Sequence, residues 1–423
     1  MPSSPAETAL AVLGMARAGR FADICDLFAP NLRAMVSPGP LEAAWTAETS
    51  VKGQVRSAGA PVTEPARAGL VAVRILVTLE HGALALLVSV TTTGQLASLQ
   101  LAPPQAAGPS PSWESPAYAD PGRFTEHDVM LGTGPAAVPG TVSLPHADGP
   151  RPAVVLLAGS GPHDRDETIG PNKPLKDLAW GLATRGVAVL RFDKVTYAHQ
   201  ARVREDRGFT PADEYIPHAR AAITVLREHP AVDARRVHVL GHSMGATIAP
   251  QVAADEPSVA GLVIMAGATT PLQWAAIRQF RYIASLTPQA AAASEPVIEA
   301  MTRQAMLVDS PGLSPSTPAS DLPFGAPAPY WLYLRGYDPV QVAAGLDKPM
   351  LILQGGRDYQ VTVTEDLARW QAGLASRADV TITVYPDDNH FFFPGSGPSA
   401  PAETQTAQHV DARAITDIAR WLC

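Results

Sequence analysis

The chain has 423 residues, 46% hydrophobic and 17% charged, which is more length than one ordinary domain needs and enough apolar material for a sizeable core. A formal charge of −8 with no run of Lys and Arg excludes a surface that tracks nucleic-acid phosphates. Two cysteines, Cys25 and Cys423, exclude a disulfide framework and a thiolate zinc site, and no apolar run is long enough to span a bilayer. In chain order, apolar side chains recur at helical spacing over 6–35 (Leu10, Leu13, Ala16, Phe21, Ile24, Leu27, Phe28) until Pro38 and Pro40 interrupt them. The first apolar stretch has no Lys or Arg ahead of it and follows Glu7, so it reads as an amphipathic helix and not as a signal peptide. A short helix is expected over Leu41–Thr49. Strands are expected over Gly69–Leu79, Ala83–Thr92 and Leu96–Leu101, with a hairpin turn at His81-Gly82. Residues 1–102 thus read as a small α+β domain, and the proline-rich stretch 103–123 as a semi-rigid linker.

From residue 124 onward, strands alternate with helices. Val142–Leu144, Ala153–Leu157, Val187–Arg191, Val237–Leu240, Leu262–Met265, Met350–Leu353 and Val380–Val384 are strand-like. Leu175–Arg185, Ile216–Glu228, a run starting after Ser243, and Val410–Leu422 are helix-like. Such alternation indicates βαβ units and an α/β domain, 124–423, with a mainly parallel sheet covered on both faces. Residues 269–345 break the rhythm with two helical stretches (Pro271–Leu286, Pro296–Val308), a proline-rich loop and the aromatic run Tyr330-Trp331-Leu332-Tyr333. This segment is too large for a loop and is expected to form a helical cap over one end of the sheet.

The sharpest chemical signal is Gly241-His242-Ser243-Met244-Gly245, placed between a buried strand and a helix. It matches G-x-S-x-G in the context that gives the motif meaning. Small residues at 241 and 245 let strand and helix approach while Ser243 takes a strained backbone and presents its hydroxyl at the carboxyl edge of the sheet. A serine nucleophile needs a base, and the base an orienting acid, expected here in the chain order Ser, acid, His. Asp358 follows the strand Met350–Leu353, and His390 lies in the loop after the strand Val380–Val384. Asp387 and Asp388 are rival acids but share a loop with His390. His163, His199 and His218 precede the acid, and His242 points away from the serine it adjoins. The oxyanion hole calls for two backbone N–H groups: one from Met244, the other from the loop after Ala153–Leu157, with Ser160 preferred and Gly161 next.

On these residues the chain resembles the α/β-hydrolase-fold serine esterases. It is most similar to bacterial carboxylesterases and acyl-hydrolases whose early loop reads G-S-G-P followed by D-R-D, here Gly159-Ser160-Gly161-Pro162-His163-Asp164-Arg165-Asp166. Pro139–Pro145 and Tyr330–Leu334 resemble recurrent segments of that group, and the first hundred residues resemble a small α+β domain often fused ahead of such enzymes. The sequence departs from the group after the strand Val187–Phe192, where Asp193-Lys194-Val195-Thr196 stands in place of Asp-Lys-Arg-Gly.

The reading that follows is a cytoplasmic, cofactor-free and metal-free serine hydrolase of carboxylic esters, with Ser243, His390 and Asp358 as triad and an acyl-enzyme intermediate. Thioester hydrolysis or acyl transfer on the same triad, a peptidase, and a non-catalytic scaffold are the alternatives. The expected partner is a small ester or thioester, with no nucleic acid and no membrane; a homodimer through residues 1–102 is also entertained. Three further alternatives stay open. Asp164, Arg165 and Asp166 either bind a charged substrate end or pair with each other to brace the loop. Tyr330, Trp331 and Tyr333 either line the acyl pocket or pack the cap. Trp274, Ile277 and Phe280 form a stripe of the core or of the substrate wall.

Overall fold

The computed structural model describes residues 4–29, 32–33, 36, 38–65, 70–102, 104, 113–286 and 288–423. The chain divides into two compact units, Met1–Pro111 with Pro288–Val297, and Ser112–Thr287 with Ile298–Cys423.

In the smaller unit, Ser4 and Glu7 form a capping box at the start of the helix Pro5–Arg17. Gly19, at φ 69°, then ends that helix and turns the chain into a second one, Phe21–Asp26. The helix Pro38–Lys52 precedes five antiparallel strands: β1 (Val55–Ala58), β2 (Val62–Pro65), β3 (Val71–Leu79), β4 (Gly82–Val90) and β5 (Leu96–Ala102). They run in the order β1-β3-β4-β5, with β2 also paired to β3. Alternate residues Val73, Ile75 and Val77 are fully buried, as a sheet with one covered face requires. The sequence did not betray β1 and β2 because both are short and β1 is largely exposed, without apolar alternation.

The larger unit is built on eight strands: β6 (Phe124–Leu131), β7 (Val138–Pro145), β8 (Arg151–Leu157), β9 (Ala188–Phe192), β10 (Val232–His242), β11 (Leu262–Met265), β12 (Met350–Gly355) and β13 (Val380–Tyr385). Their order is β13-β12-β11-β10-β8-β9-β7-β6. Only the pairings of β7 are antiparallel; all others are parallel. This is the α/β-hydrolase sheet. Successive side chains serve opposite faces: Val155, Val239, Ile264 and Ile352 face the helices Pro211–Glu228 and Met244–Asp255, while Val154, Leu240, Val263 and Leu351 face Pro174–Thr184 and Ala412–Leu422. Register sets Gly241 beside both Leu157 and Ile264, so the carboxyl ends of β8, β10 and β11 share one edge.

Residues 113–123, read from composition as linker, belong to the larger unit. The Trp113 indole N–H donates to Asp177 at 2.8 Å, its ring stands edge-on to Trp180, and the Lys176 ammonium lies 4.4 Å from its centroid. Aromatic side chains give a proline-rich segment something to bury. Residues 105–112 lie outside those described. Between β11 and β12 run the helices Leu272–Ser285, Pro288–Asp309, Ala328–Arg335 and Pro339–Ala344. No helix among the described residues is long and apolar enough to cross a membrane.

Candidate active site

Ser243 sits between β10 and the helix Met244–Asp255 with φ 53° and ψ −119°, a conformation costly for a residue with a side chain. The surroundings hold it there: its N–H donates to Met265 O at 2.9 Å, and its carbonyl accepts from Thr247 N–H at 3.0 Å. A Cβ on Gly241 would lie 2.3 Å from the Gly245 carbonyl, and one on Gly245 would lie 2.3 Å from Leu157 O. Both glycines are therefore demanded by backbone approach, which is the physical content of the motif.

The loops after β12 and β13 meet in the same way. A Cβ on Gly355 would fall 2.4 Å from Asn389 O, and one on Gly356 would fall 2.7 Å from Pro386. Two backbone bonds join the loops, Gly356 N–H to Tyr385 O and Arg357 N–H to Asp388 O. This contact carries the buried Asp358 carboxylate to the His390 ring, with 2.7 Å between Oδ2 and Nδ1. The other carboxylate oxygen accepts the N–H groups of Gln360 and Val361, and the Gln354 amide reaches Oδ2 at 3.1 Å. An ionised carboxylate only accepts, so the proton of this bond lies on Nδ1. Ser243 Oγ has no hydrogen-bond partner among the described residues. The elbow is tied to the His390 loop through the residue before the serine: His242 Nε2 lies 2.9 Å from the carbonyl of His390. Of the rival acids, Asp388 is buried, and among the described residues neither of its carboxylate oxygens has a hydrogen-bond partner, the Arg413 guanidinium lying 3.8 Å from one of them. Burial and the neighbouring Asp411 push its pKa up to about 7, against the opposing Arg413.

The loop after β8 passes directly over the elbow: a Cβ on Gly159 would lie 3.2 Å from Ser243 Cβ. Among the described residues, nothing accepts the N–H of Ser160 or of Met244. Gly159 itself is gripped at both ends, its N–H donating to Glu167 Oε1 at 2.6 Å and its carbonyl accepting from Lys194 Nζ at 2.7 Å and Tyr215 OH at 2.9 Å. Glu167 is fully buried, takes φ 52°, and pairs with His242 Nδ1 at 3.0 Å. Burial opposes charge on both, but each stabilises the other: Glu167 is held down to about 2, and the pKa of His242 is raised. Glu167, Lys194 and Tyr215 went unnoticed in the sequence. Glu167 follows Asp-Arg-Asp in a loop, and Lys194 is the lysine shared with Asp-Lys-Arg-Gly just before that pattern is lost at Val195, but neither has a local signal for burial.

The Asp-Arg-Asp group braces the fold, with a correction to the expected pairing. The three do not pair with each other. Asp164 caps Thr168, Arg165 reaches Asp193 and Asp128, and Asp166 binds Lys173 and Arg191. His199 and His218 bond the carbonyls of Ala137 and Ala136, and His163 Nε2 bonds the carbonyl of Ser160. The assignment of Trp331 to a substrate pocket is corrected: it is fully buried among Val308, Leu313, Leu322 and Ala328. Tyr330 is likewise turned inward, donating to Glu214 Oε2 at 3.0 Å, and Tyr333 stacks on Tyr337. The reason is shared: these aromatic faces are what holds the helix Ala328–Arg335 to its surroundings. In the third stripe, Ile277 is buried, Trp274 packs beside it, and Phe280 is exposed. An aromatic pair that sequence reading passed over is Tyr359, next to Asp358, stacked on Tyr282 at 4.6 Å. Among the described residues no group of three or more His, Cys, Asp or Glu side chains is placed to hold a metal ion.

Residues 172–393 match the family described as serine aminopeptidase, S33. The chain is 39% identical over 305 residues to the esterase EstD of Thermotoga maritima, covering 72% of this chain and 68% of that one. Among solved structures it is similar to a 2,6-dihydroxy-pseudo-oxynicotine hydrolase (18% identity, 70% of this chain and 66% of that one, TM-score 0.43). It is also similar to a Pyrococcus furiosus esterase (18% identity, 71% and 92%, TM-score 0.42).

Proposed function

We infer, for a chain that belongs to the serine aminopeptidase S33 family and carries the α/β-hydrolase fold, that it hydrolyses carboxylic esters through Ser243, His390 and Asp358. The observation that carries this reading is the 2.7 Å contact between Asp358 and His390 beside a serine held at φ 53°. It is supported by the likeness to an esterase over most of the chain.

The steps follow from the atoms in place. With Nδ1–H held by Asp358, His390 Nε2 takes the Ser243 proton as Oγ bonds to the ester carbonyl carbon. The imidazolium so formed is stabilised by the Asp358 carboxylate. Negative charge on the carbonyl oxygen is met by the N–H groups of Ser160 and Met244. Collapse expels the alkoxide, which takes the proton from His390 and leaves as the alcohol. Water, deprotonated by the same ring, then attacks the acyl-serine and releases the acid. Among acyl compounds, the ester is favoured over a peptide with a free amine. Such an amine calls for an unengaged carboxylate, and near the loop Asp164, Asp166 and Glu167 are each committed to partners within the fold.

The test is turnover of p-nitrophenyl esters, acetate through decanoate, by the protein and by Ser243→Ala. Loss of turnover in the variant supports the reading, and the chain-length optimum sizes the acyl site. Retained turnover, or none by the wild type on any ester, overturns it.

A further inference from the structure

We propose that Lys194 is a positioning residue for the oxyanion hole, acting through the peptide group between Gly159 and Ser160. This rests on the reading of Ser160 N–H as an oxyanion donor. The carbonyl of Gly159 and the N–H of Ser160 are the two ends of one planar amide, so whatever grips the carbonyl aims the N–H. Lys194 Nζ lies 2.7 Å from that carbonyl, 2.8 Å from Tyr215 OH and 2.8 Å from Glu214 Oε1. Three acceptors around one nitrogen match the three donors of an ammonium. Tyr215 OH, taking one of those protons, gives its own to the carbonyls of Ala158 and Gly159 at 3.0 and 2.9 Å. Glu214 is itself secured by Thr196 and Tyr330.

The arrangement is buried: the Lys194 side chain is 2% exposed and that of Glu214 is 4% exposed. Desolvating an ammonium is costly, and a neutral side chain would fill the space at lower cost. What the charge adds is specific. A charge-assisted bond at the carbonyl polarises the amide, strengthening the N–H at its other end, and successive hydrogen bonds reinforce one another. It also fixes the peptide plane before substrate arrives, so no reorganisation accompanies the growth of negative charge. From the other side, Glu167 grips the Gly159 N–H, so the glycine is clamped between a carboxylate and an ammonium.

The effect belongs to the transition state, and the test uses that. In Lys194→Met/Glu214→Gln, which removes both buried charges together, kcat should fall about tenfold with KM unchanged. That is less than the roughly 10²–10³ expected for losing a donor outright. An alkyl trifluoromethyl ketone, which forms an oxyanion on Ser243, should lose affinity by the same factor, while the matching methyl ketone binds as before. Tyr215→Phe, which removes one neutral bond to the same carbonyl, should show the same pattern at about two- to fivefold. Unchanged kcat and trifluoroketone affinity in the folded double variant overturns the proposal, as does an equal loss of affinity for both ketones. If the double variant does not fold, Tyr215→Phe decides by the same criteria. Turnover retained in Ser243→Ala instead overturns the parent reading, so the two failures are distinguishable.

Discussion

The two walls of this site are held by different physics. On the nucleophile side, buried charges do the holding: Glu167 with His242, and Lys194 with Glu214, with Glu167 and Lys194 both bonded to Gly159. On the acid–base side, the Asp358 and His390 loops are joined by backbone, with Gly355 and Gly356 against the chain at Pro386–Asn389 and two N–H to carbonyl bonds across the join. Charge pairs aim dipoles and respond to pH; backbone contacts set distances and are indifferent to it. In the proposed reaction, the nucleophile wall presents N–H groups to a charge that appears only during turnover. The acid–base wall must keep one hydrogen bond short throughout.

Breaking the short bond should have the largest effect. Asp358→Asn removes the acceptor that sets the His390 tautomer, and kcat should fall by about 10⁴ with the fold intact. Steady-state kinetics beside circular dichroism measures this.

Next comes the charged wall. Glu167→Gln leaves His242 without its counter-charge, and the cost of breaking a buried pair is about 3–5 kcal/mol. The sign follows from the two partners. Glu167, lowered to about 2 from 4.5, lends stability above pH 4.5 that is lost as pH falls toward 2; His242, raised from 6.5, lends stability below that value that is lost as pH climbs past its folded pKa. Thermal melts should therefore show the widest gap between wild type and variant near pH 5–6, narrowing at pH 2–3. A pH-independent gap would mean that the pair acts by packing alone.

Gly356→Ala sharpens the contrast from the other wall. Forcing a methyl group against the Pro386 backbone should cost about 1–3 kcal/mol at every pH, with kcat falling as the Asp358 and His390 loops part. Denaturation at pH 5 and pH 8 checks that the loss is the same.

The smallest effect is expected at Asp388, the one buried carboxyl on the backbone-held wall whose pKa is raised to about 7. A carboxyl raised from 3.8 binds its proton more tightly when folded, so stability declines as pH rises from about 4 to 7 and then levels. Asp388→Asn should match the wild-type melting temperature at pH 4 and exceed it by about 2–4 °C at pH 8. Equal melting temperatures at both values would remove Asp388 as a titrating burden.

The amino-acid sequence by itself determined the strand series of the larger unit, the elbow at Ser243, and the presence of Asp358 and His390 on successive loops. Each is written in short-range pattern: continuous apolar runs for strands buried on both faces, glycines two residues either side of a serine, and polar residues just beyond a strand. It did not announce β1 or the edge strand β6, which are largely exposed and so lack that pattern, nor β2, which is only four residues long. Nor did it separate anchoring aromatics from substrate-facing ones, since Trp331 has the composition of either. Only the tertiary structure decided which charges are buried and with whom. Glu167 meets His242 75 positions away, Lys194 meets Gly159 35 positions away, and Tyr330 meets Glu214 at a separation of 116. Charged residues are ordinarily exposed, so a lysine or glutamate in a loop has no local mark of burial. Its role exists only once folding has removed water and set fixed partners within reach.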